Sequence, residues 1–297
     1  MKTKLLFTLL AASLYAINSF SQTNKNQNNM PNQKSTTVLF ITGAYVSNSS
    51  WDEWIPYFER MGYTCIAPAW PYKDAPAALL RSRQPNPDIA SIRLTELVDY
   101  YADIIKKMPE PPILIGHSMG GLITQLLLQR GLGAYGVAIH SVPTNGVNTF
   151  KWSALKAGFK GLGYLTSTRK AYLMSFKNWQ YAFTNGMPLA EQRAAYNKYV
   201  IPESKLVSRD WMTKAAKVDY RKPHAPLLFI SGSTDHIIPA SFNYSNYKKY
   251  ADSNSITDYK ELPRRNHFVL GQPTWKEDAD YILEWLNKNK NSLVRNQ

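Results

Sequence analysis

Ile113-Leu114-Ile115-Gly116-His117-Ser118-Met119-Gly120-Gly121 is the stretch on which the fold turns. Its apolar start, entered from Pro111-Pro112, reads as a strand buried on both faces. Leu122-Ile123-Thr124-Gln125-Leu126-Leu127-Leu128 continues as a helix, with Gly131 placed to cap it. Between strand and helix lies Gly116-x-Ser118-x-Gly120. A serine on such a sharp turn has its hydroxyl lifted above the sheet, and glycines on either side relieve the crowding. The helix start also offers backbone N–H groups and a dipole to an oxyanion. The pattern predicts that Ser118 is a nucleophile.

Working outward, strands and helices alternate, which predicts an α/β fold with a mostly parallel central sheet flanked by helices. Thr37–Ile41 is the first apolar run, closed by Gly43. The spacing of Trp51, Trp54, Ile55 and Phe58 predicts a helix over 50–61, and Tyr63–Ala67 a strand with Cys65 buried in it. A proline-rich loop (Pro68, Pro71, Pro76, Pro85, Pro87) follows, then an amphipathic helix over 91–108. Val137–Ile139 and Leu227–Ile230 are further strands, the segment 141–225 between them carrying no clear buried strand. A helix near 241–250, a strand near 258–262 and a last helix from Thr274 complete the order, with Thr274 and Glu277 spaced as a capping box.

The chain has 297 residues, 44% hydrophobic, enough apolar material for one sizeable core. Lys2 and Lys4, an apolar run from Leu5 to Ile17, and the small residues of Ser19-Phe20-Ser21 read as a signal peptide over 1–21. The run is short against the roughly 17–25 residues that span a bilayer. Residues 22–36, rich in Asn, Gln and Lys, read as a flexible leader. A secreted or periplasmic protein is expected, with Gln22 as the mature N-terminus by mass spectrometry; active protein retaining Met1 contradicts it. A single cysteine allows no internal disulfide. The net charge of +14 implies weak attraction to anionic surfaces. The lysines are dispersed and no nucleic-acid motif is present, so nucleic acid is not an expected partner.

A serine hydroxyl needs a base. Among five histidines, His267 lies in the loop Arg264–Phe268 between the last strand and the last helix, from which it reaches over the sheet edge. His117 adjoins the nucleophile and is expected to point away and pack. His140 ends a strand, His224 precedes another, and His236 follows an aspartate. The imidazole needs a carboxylate to fix its tautomer and stabilise its cation. Asp235 follows the strand Leu227–Ile230 by a short turn, whereas the position after the preceding strand holds His140-Ser141 and offers no carboxylate. A nearby Asp235 is expected to raise the pKa of His267. The oxyanion hole is assigned to the N–H groups of Met119 and Ala44, with Tyr45 as second choice. No metal and no cofactor are expected.

The motif Gly116-His117-Ser118-Met119-Gly120-Gly121, the strand leading to Asp235 and the loop with His267 together resemble the α/β-hydrolase superfamily, over residues 37–287. Pro68-Ala69-Trp70-Pro71 and the stretch to Gly136 are similar to uncharacterised bacterial hydrolases. The chain order Ser…Asp…His matches that fold, and a serine nucleophile argues against its haloalkane dehalogenases, which use aspartate. Many relatives carry His-Gly where this chain has Thr42-Gly43. The resemblance implies a core over 37–140 and 226–297 with a mainly helical lid over 141–225. The lid holds Trp152, Phe159, Tyr164, Tyr172, Phe176, Trp179, Tyr181 and Phe183. Tyr45, Phe176 and Trp179 are the candidates for an apolar substrate pocket. The expected activity is hydrolysis of a small carboxylic ester. Lactone, thioester or peptide-terminal amide hydrolysis uses the same residues, and a non-catalytic binding protein is the reading from a different class.

Overall fold

Apolar runs buried on both faces assemble into one sheet of six parallel strands in the order β2-β1-β3-β4-β5-β6. The strands are β1 (Thr37–Ile41), β2 (Thr64–Ile66), β3 (Ile113–His117), β4 (Tyr135–Ile139), β5 (Leu227–Gly232) and β6 (Thr257–Leu262). The computed structural model describes residues 35–147 and 151–295. The signal segment 1–21 and nearly all of the leader 22–36 lie outside the described residues; of that leader, Ser35 is buried and the Thr36 N–H donates to Glu110.

The chain steps from β1 outward to β2, then returns past β1 to β3 on its other side. The carboxyl ends of β1 and β3 therefore flank a topological switch point, where open α/β sheets offer a crevice. Alternating side chains supply both faces of the sheet. Leu39, Ile41 and Leu114 pack beneath α4 (Leu94–Lys106) and α5 (Met119–Gln129). Val38, Phe40, Ile113 and Ile115 face α1 (Trp54–Arg60) and α11 (Trp275–Arg295). Phe40 stacks on Trp51 at 4.7 Å between ring centroids.

Several elements differ from the sequence expectation. The helix expected over 50–61 is a 3-10 turn, Asn48–Trp51, followed by α1. Pro56, in the first turn of α1, has no N–H to donate back to Asp52, so one continuous helix is disfavoured. The proline-rich loop contains two short helices, α2 (Ala77–Ser82) and α3 (Pro87–Ser91), the second capped by Asn86. The Arg93 N–H donates to Glu96, and α4 begins at Leu94 rather than at 91. Cys65 sits half-buried on an edge strand, and burial pushes its thiol up to about 12, away from reactive thiolate. Thr274 makes no capping bond: its hydroxyl is buried without a partner, and only its carbonyl accepts from Glu277.

Between β4 and β5 the chain inserts a helical cover made of α6 (Trp152–Leu162), α7 (Phe176–Ala182), α8 (Leu189–Tyr199) and α9 (Lys205–Asp210). The final pair of strands is bridged by α10 (Ala240–Lys248). The cover is tied to the loop after β1. Val46 bridges Val200, and the N–H groups of Ser47 and Ile201 donate to the carbonyls of Tyr199 and Tyr45.

Candidate active site

Ser118 occupies the turn between β3 and α5 with φ 57° and ψ −116°. A side chain in that region costs of order ~1–3 kcal/mol, so the surroundings must hold it there. They do so through backbone: the Ser118 N–H donates to Ile139 at 2.9 Å, and the Ser118 carbonyl accepts from Gly121 and Val142 at 3.0 Å each. The flanking glycines are sterically required. A Cβ on Gly116 would lie 2.1 Å from the Gly120 carbonyl oxygen, and one on Gly120 would lie 2.0 Å from that of Ile41.

His267 and Asp235 meet Ser118 at the carboxyl edge of the sheet. The Ser118 hydroxyl donates to His267 Nε2 at 3.0 Å, and His267 Nδ1–H donates to Asp235 Oδ2 at 2.7 Å. Asp235 Oδ1 accepts from the N–H groups of Ile237 and Ile238 at 2.9 and 2.8 Å. The loop carrying His267 is clamped to α11, because Arg265 reaches Asp278 at 2.9 Å and Glu277 at 2.6 Å. Its far side is fixed by the Phe268 N–H on the Phe183 carbonyl.

Burial raises the proton affinity of Asp235, but His267 and His140 outweigh it and hold the carboxyl below its ordinary range. Burial also lowers the pKa of His267 and prevails over the opposing pull of Asp235. This corrects the expected rise: taking an imidazolium out of water costs more here than one carboxylate returns.

The other histidines divide. His117 is buried, and its Nε2–H donates to the backbone carbonyl of His267 at 2.8 Å, so it braces the loop that carries His267. His236 bonds the Tyr181 carbonyl and His224 that of Ala225. His140, given no site role from the sequence alone, lies in the same cluster. Its Nδ1 lies 2.8 Å from Asp235 Oδ2, the same oxygen that His267 uses. The sequence signal for it is its place directly after a strand, where a triad calls for a carboxylate. His140, Asp235 and His267 also form a cluster of metal-ligand type. Contacts of 2.7–2.8 Å between their nitrogens and oxygen are hydrogen bonds, closer than ligands spread around one zinc ion.

The loop after β1 presses on the turn, since a Cβ on Gly43 would stand 2.8 Å from Ser118 Cβ. Ala44 and Met119 line the space beside Ser118. Met119 opens α5, where an N–H has no partner within the helix. The Tyr45 N–H donates to Glu203 Oε2 at 3.0 Å, which removes the second choice of oxyanion donor. Glu203 in turn accepts from Lys73 at 2.5 Å, both side chains being buried.

A cavity of about 250 Å³ opens beside Ser118. Val142, Leu155, Phe159, Trp211, Ile238 and Phe242 wall it, and Tyr45 lines it with its hydroxyl bonded to Ser208 at 2.8 Å. Phe176 and Trp179 do not line it, contrary to expectation. Most of the cover's share of the lining comes from α6, while the α7 aromatics pack on Phe183, Tyr196, His236 and Phe268. Trp179 is fully buried, stacked on Phe183 at 4.6 Å, and Phe176 lies under the Arg193 guanidinium at 3.9 Å.

A sequence profile of the alpha/beta hydrolase family matches residues 38–277. No curated protein matches the chain. Among solved structures, an extracellular alpha/beta-hydrolase from a Paenibacillus species is similar, with a TM-score of 0.64 and 18% identity over 84% of this chain and 98% of that one. It is described as sharing structural and functional homology with tobacco salicylic acid binding protein 2. A pyrethroid hydrolase from Sphingobium faniae has a TM-score of 0.60 and 18% identity over 85% and 98%. A methylesterase from Arabidopsis has a TM-score of 0.59 and 14% identity over 84% and 98%. At these identities the likeness is one of fold.

Proposed function

The chain belongs to the alpha/beta hydrolase family, and from that premise we propose that it hydrolyses carboxylic esters with an apolar acyl or alcohol part, through an acyl-enzyme on Ser118. The observation that carries this reading is the continuous relay from Ser118 through His267 to Asp235, opening on an apolar cavity. In the first half-reaction Ser118 Oγ attacks the ester carbonyl and His267 Nε2 takes the hydroxyl proton. The N–H groups of Ala44 and Met119 receive the oxyanion, and Asp235 balances the imidazolium. Collapse breaks the bond to the alcohol, which leaves with the proton from His267. Water then repeats the sequence on the acyl-enzyme and frees the acid. Export rests on residues 1–21 alone and is part of the same proposal.

The test is a panel of p-nitrophenyl esters of increasing acyl length, with lactones, thioesters and aminopeptidase substrates beside them. Turnover is expected on esters whose acyl group fits about 250 Å³, and Leu155→Trp should move the preference to shorter chains. A fluorophosphonate should label the protein once. Folded protein that neither turns over esters nor takes the label rejects the reading. Activity should fall in acid as His267 gains a proton, with the midpoint below the ordinary imidazole value of about 6.5, because burial lowers its pKa. Asp235, held below its ordinary range, stays ionised throughout this limb. An acid limb centred above 6.5 contradicts the dominance of burial over the pull of Asp235. Circular dichroism must accompany the profile. His117 and His267 are buried with lowered pKa values, so stability is also lost as pH falls below the unfolded imidazole value.

A further inference from the structure

We propose that His140 is a positioning residue of the Ser118 site: its Nδ1–H fixes the carboxylate of Asp235 and shares the oxygen that orients His267. The inference rests on the Ser118 reading above. Its geometry is unusual in several independent ways. His140 follows β4 with φ +46°, in the left-handed region that only a few per cent of non-glycine residues adopt. Its N–H donates to Ile230 at 2.7 Å, so the bend is pinned between β4 and β5. The ring is fully buried, and Gly232 makes room for it, since a Cβ there would lie 2.4 Å from His140 Cε1. His140 Nε2 is buried with no hydrogen-bond partner. Leaving such an atom unpaired costs about 1–3 kcal/mol. An apolar side chain would fill the space without that cost, so the ring nitrogen facing Asp235 is what the arrangement retains.

Its consequence follows from counting donors. Ile237 and Ile238 occupy Oδ1, while His140 and His267 occupy Oδ2. Four donors saturate the lone pairs of one carboxylate. Asp235 then cannot rotate away from His267. It is also a weak enough base to remain ionised when His267 becomes imidazolium, so the proton stays on nitrogen, ready for the leaving alcohol. The titratable groups facing His140 among the described residues are Asp235, His267 and His117, the last two at 6.2 Å between ring centroids. Further out, Arg265, Asp278 and Glu277 fix the loop of the base.

His140→Phe keeps a ring but no N–H, whereas His140→Asn sets an amide N–H close to where Nδ1–H stood and tolerates a positive φ. In His140→Phe, kcat should fall about 10–100-fold, the scale of lost outer-shell bonds, with KM little changed. The acid limb of the pH profile should move upward, because the charge of Asp235 then bears on His267 alone. His140→Asn should restore both. In wild type, 15N-histidine NMR should detect two carboxylate-bonded Nδ1–H signals, one from each imidazole on Asp235, downfield of those of His224 and His236, which donate to backbone carbonyls. This measurement stands if His140→Phe does not fold. Unchanged kcat and acid limb in folded His140→Phe, or only one such signal in active, probe-labelled wild type, overturns the inference alone. Wild type that is inactive and unlabelled overturns the Ser118 reading and this inference with it.

Discussion

Ester turnover in Ser118→Ala should fall about 10⁶-fold with the fold intact, by analogy with other serine triads. The backbone at this position is held by the bonds to Ile139, Gly121 and Val142, none of which uses the side chain. Alanine bears the same positive φ as serine, so the variant should unfold at nearly the wild-type denaturant concentration. What is lost is the atom that forms the acyl bond. Asp235→Asn should be milder, about 10⁴ in kcat, because the nucleophile and hole remain while His267 is offered the wrong hydrogen-bonding group. Steady-state kinetics and intact-mass detection of a fluorophosphonate adduct measure both. Persistent labelling or ester turnover in folded Ser118→Ala would falsify the nucleophile assignment.

Glu203→Ala should cost about 3–5 kcal/mol of stability, the usual consequence of leaving one member of a buried ion pair behind. Lys73 is fully enclosed, its ammonium 2.5 Å from Glu203 and 4.3 Å above the Trp70 ring. Burial already lowers its pKa, and Glu203 is what opposes that shift. The same carboxylate accepts the N–H groups of Tyr45 and Ser204, so its removal also takes away one of the ties on the loop after β1. Urea denaturation should show the loss. The double replacement Lys73→Met with Glu203→Leu should recover only the part due to the stranded ammonium, since the Tyr45 and Ser204 N–H groups stay unpaired. A loss under 1 kcal/mol in Glu203→Ala contradicts the account.

Local pattern made part of this site legible. The turn with Ser118 announces itself because a buried strand, paired glycines and a helix lie within a few residues. Asp235 and His267 could be singled out because strand ends in a parallel sheet share one edge, and the structure sets both within hydrogen-bond reach of a common chain. His140 stands at an equally legible position, but a strand-end carboxylate is what a triad calls for there, whereas His140 offers a donated N–H. The Lys73–Glu203 pair joins residues 130 apart, and nothing local marks either as buried. The cavity walls were misread for a related reason. Counting aromatics identifies a core but not which helix face meets the cavity, and Trp179 is fully buried between Phe183 and Phe268.

The ties between the cover and the loop after β1 bear on how the cavity beside Ser118 can open. Lifting the whole cover would part the Val46–Val200 bridge, the bonds of Ser47 and Ile201, and the buried ion at Glu203 together. Opening of that kind draws on much of the global stability, whereas local fraying needs little. At the other end, α6 is held through its Ala157 and Leu162 carbonyls, by Asn178 and Arg209, and leaves Leu155 and Phe159 partly in water. An opening confined to this one helix of 11 residues therefore breaks fewer of these ties than lifting the whole cover does.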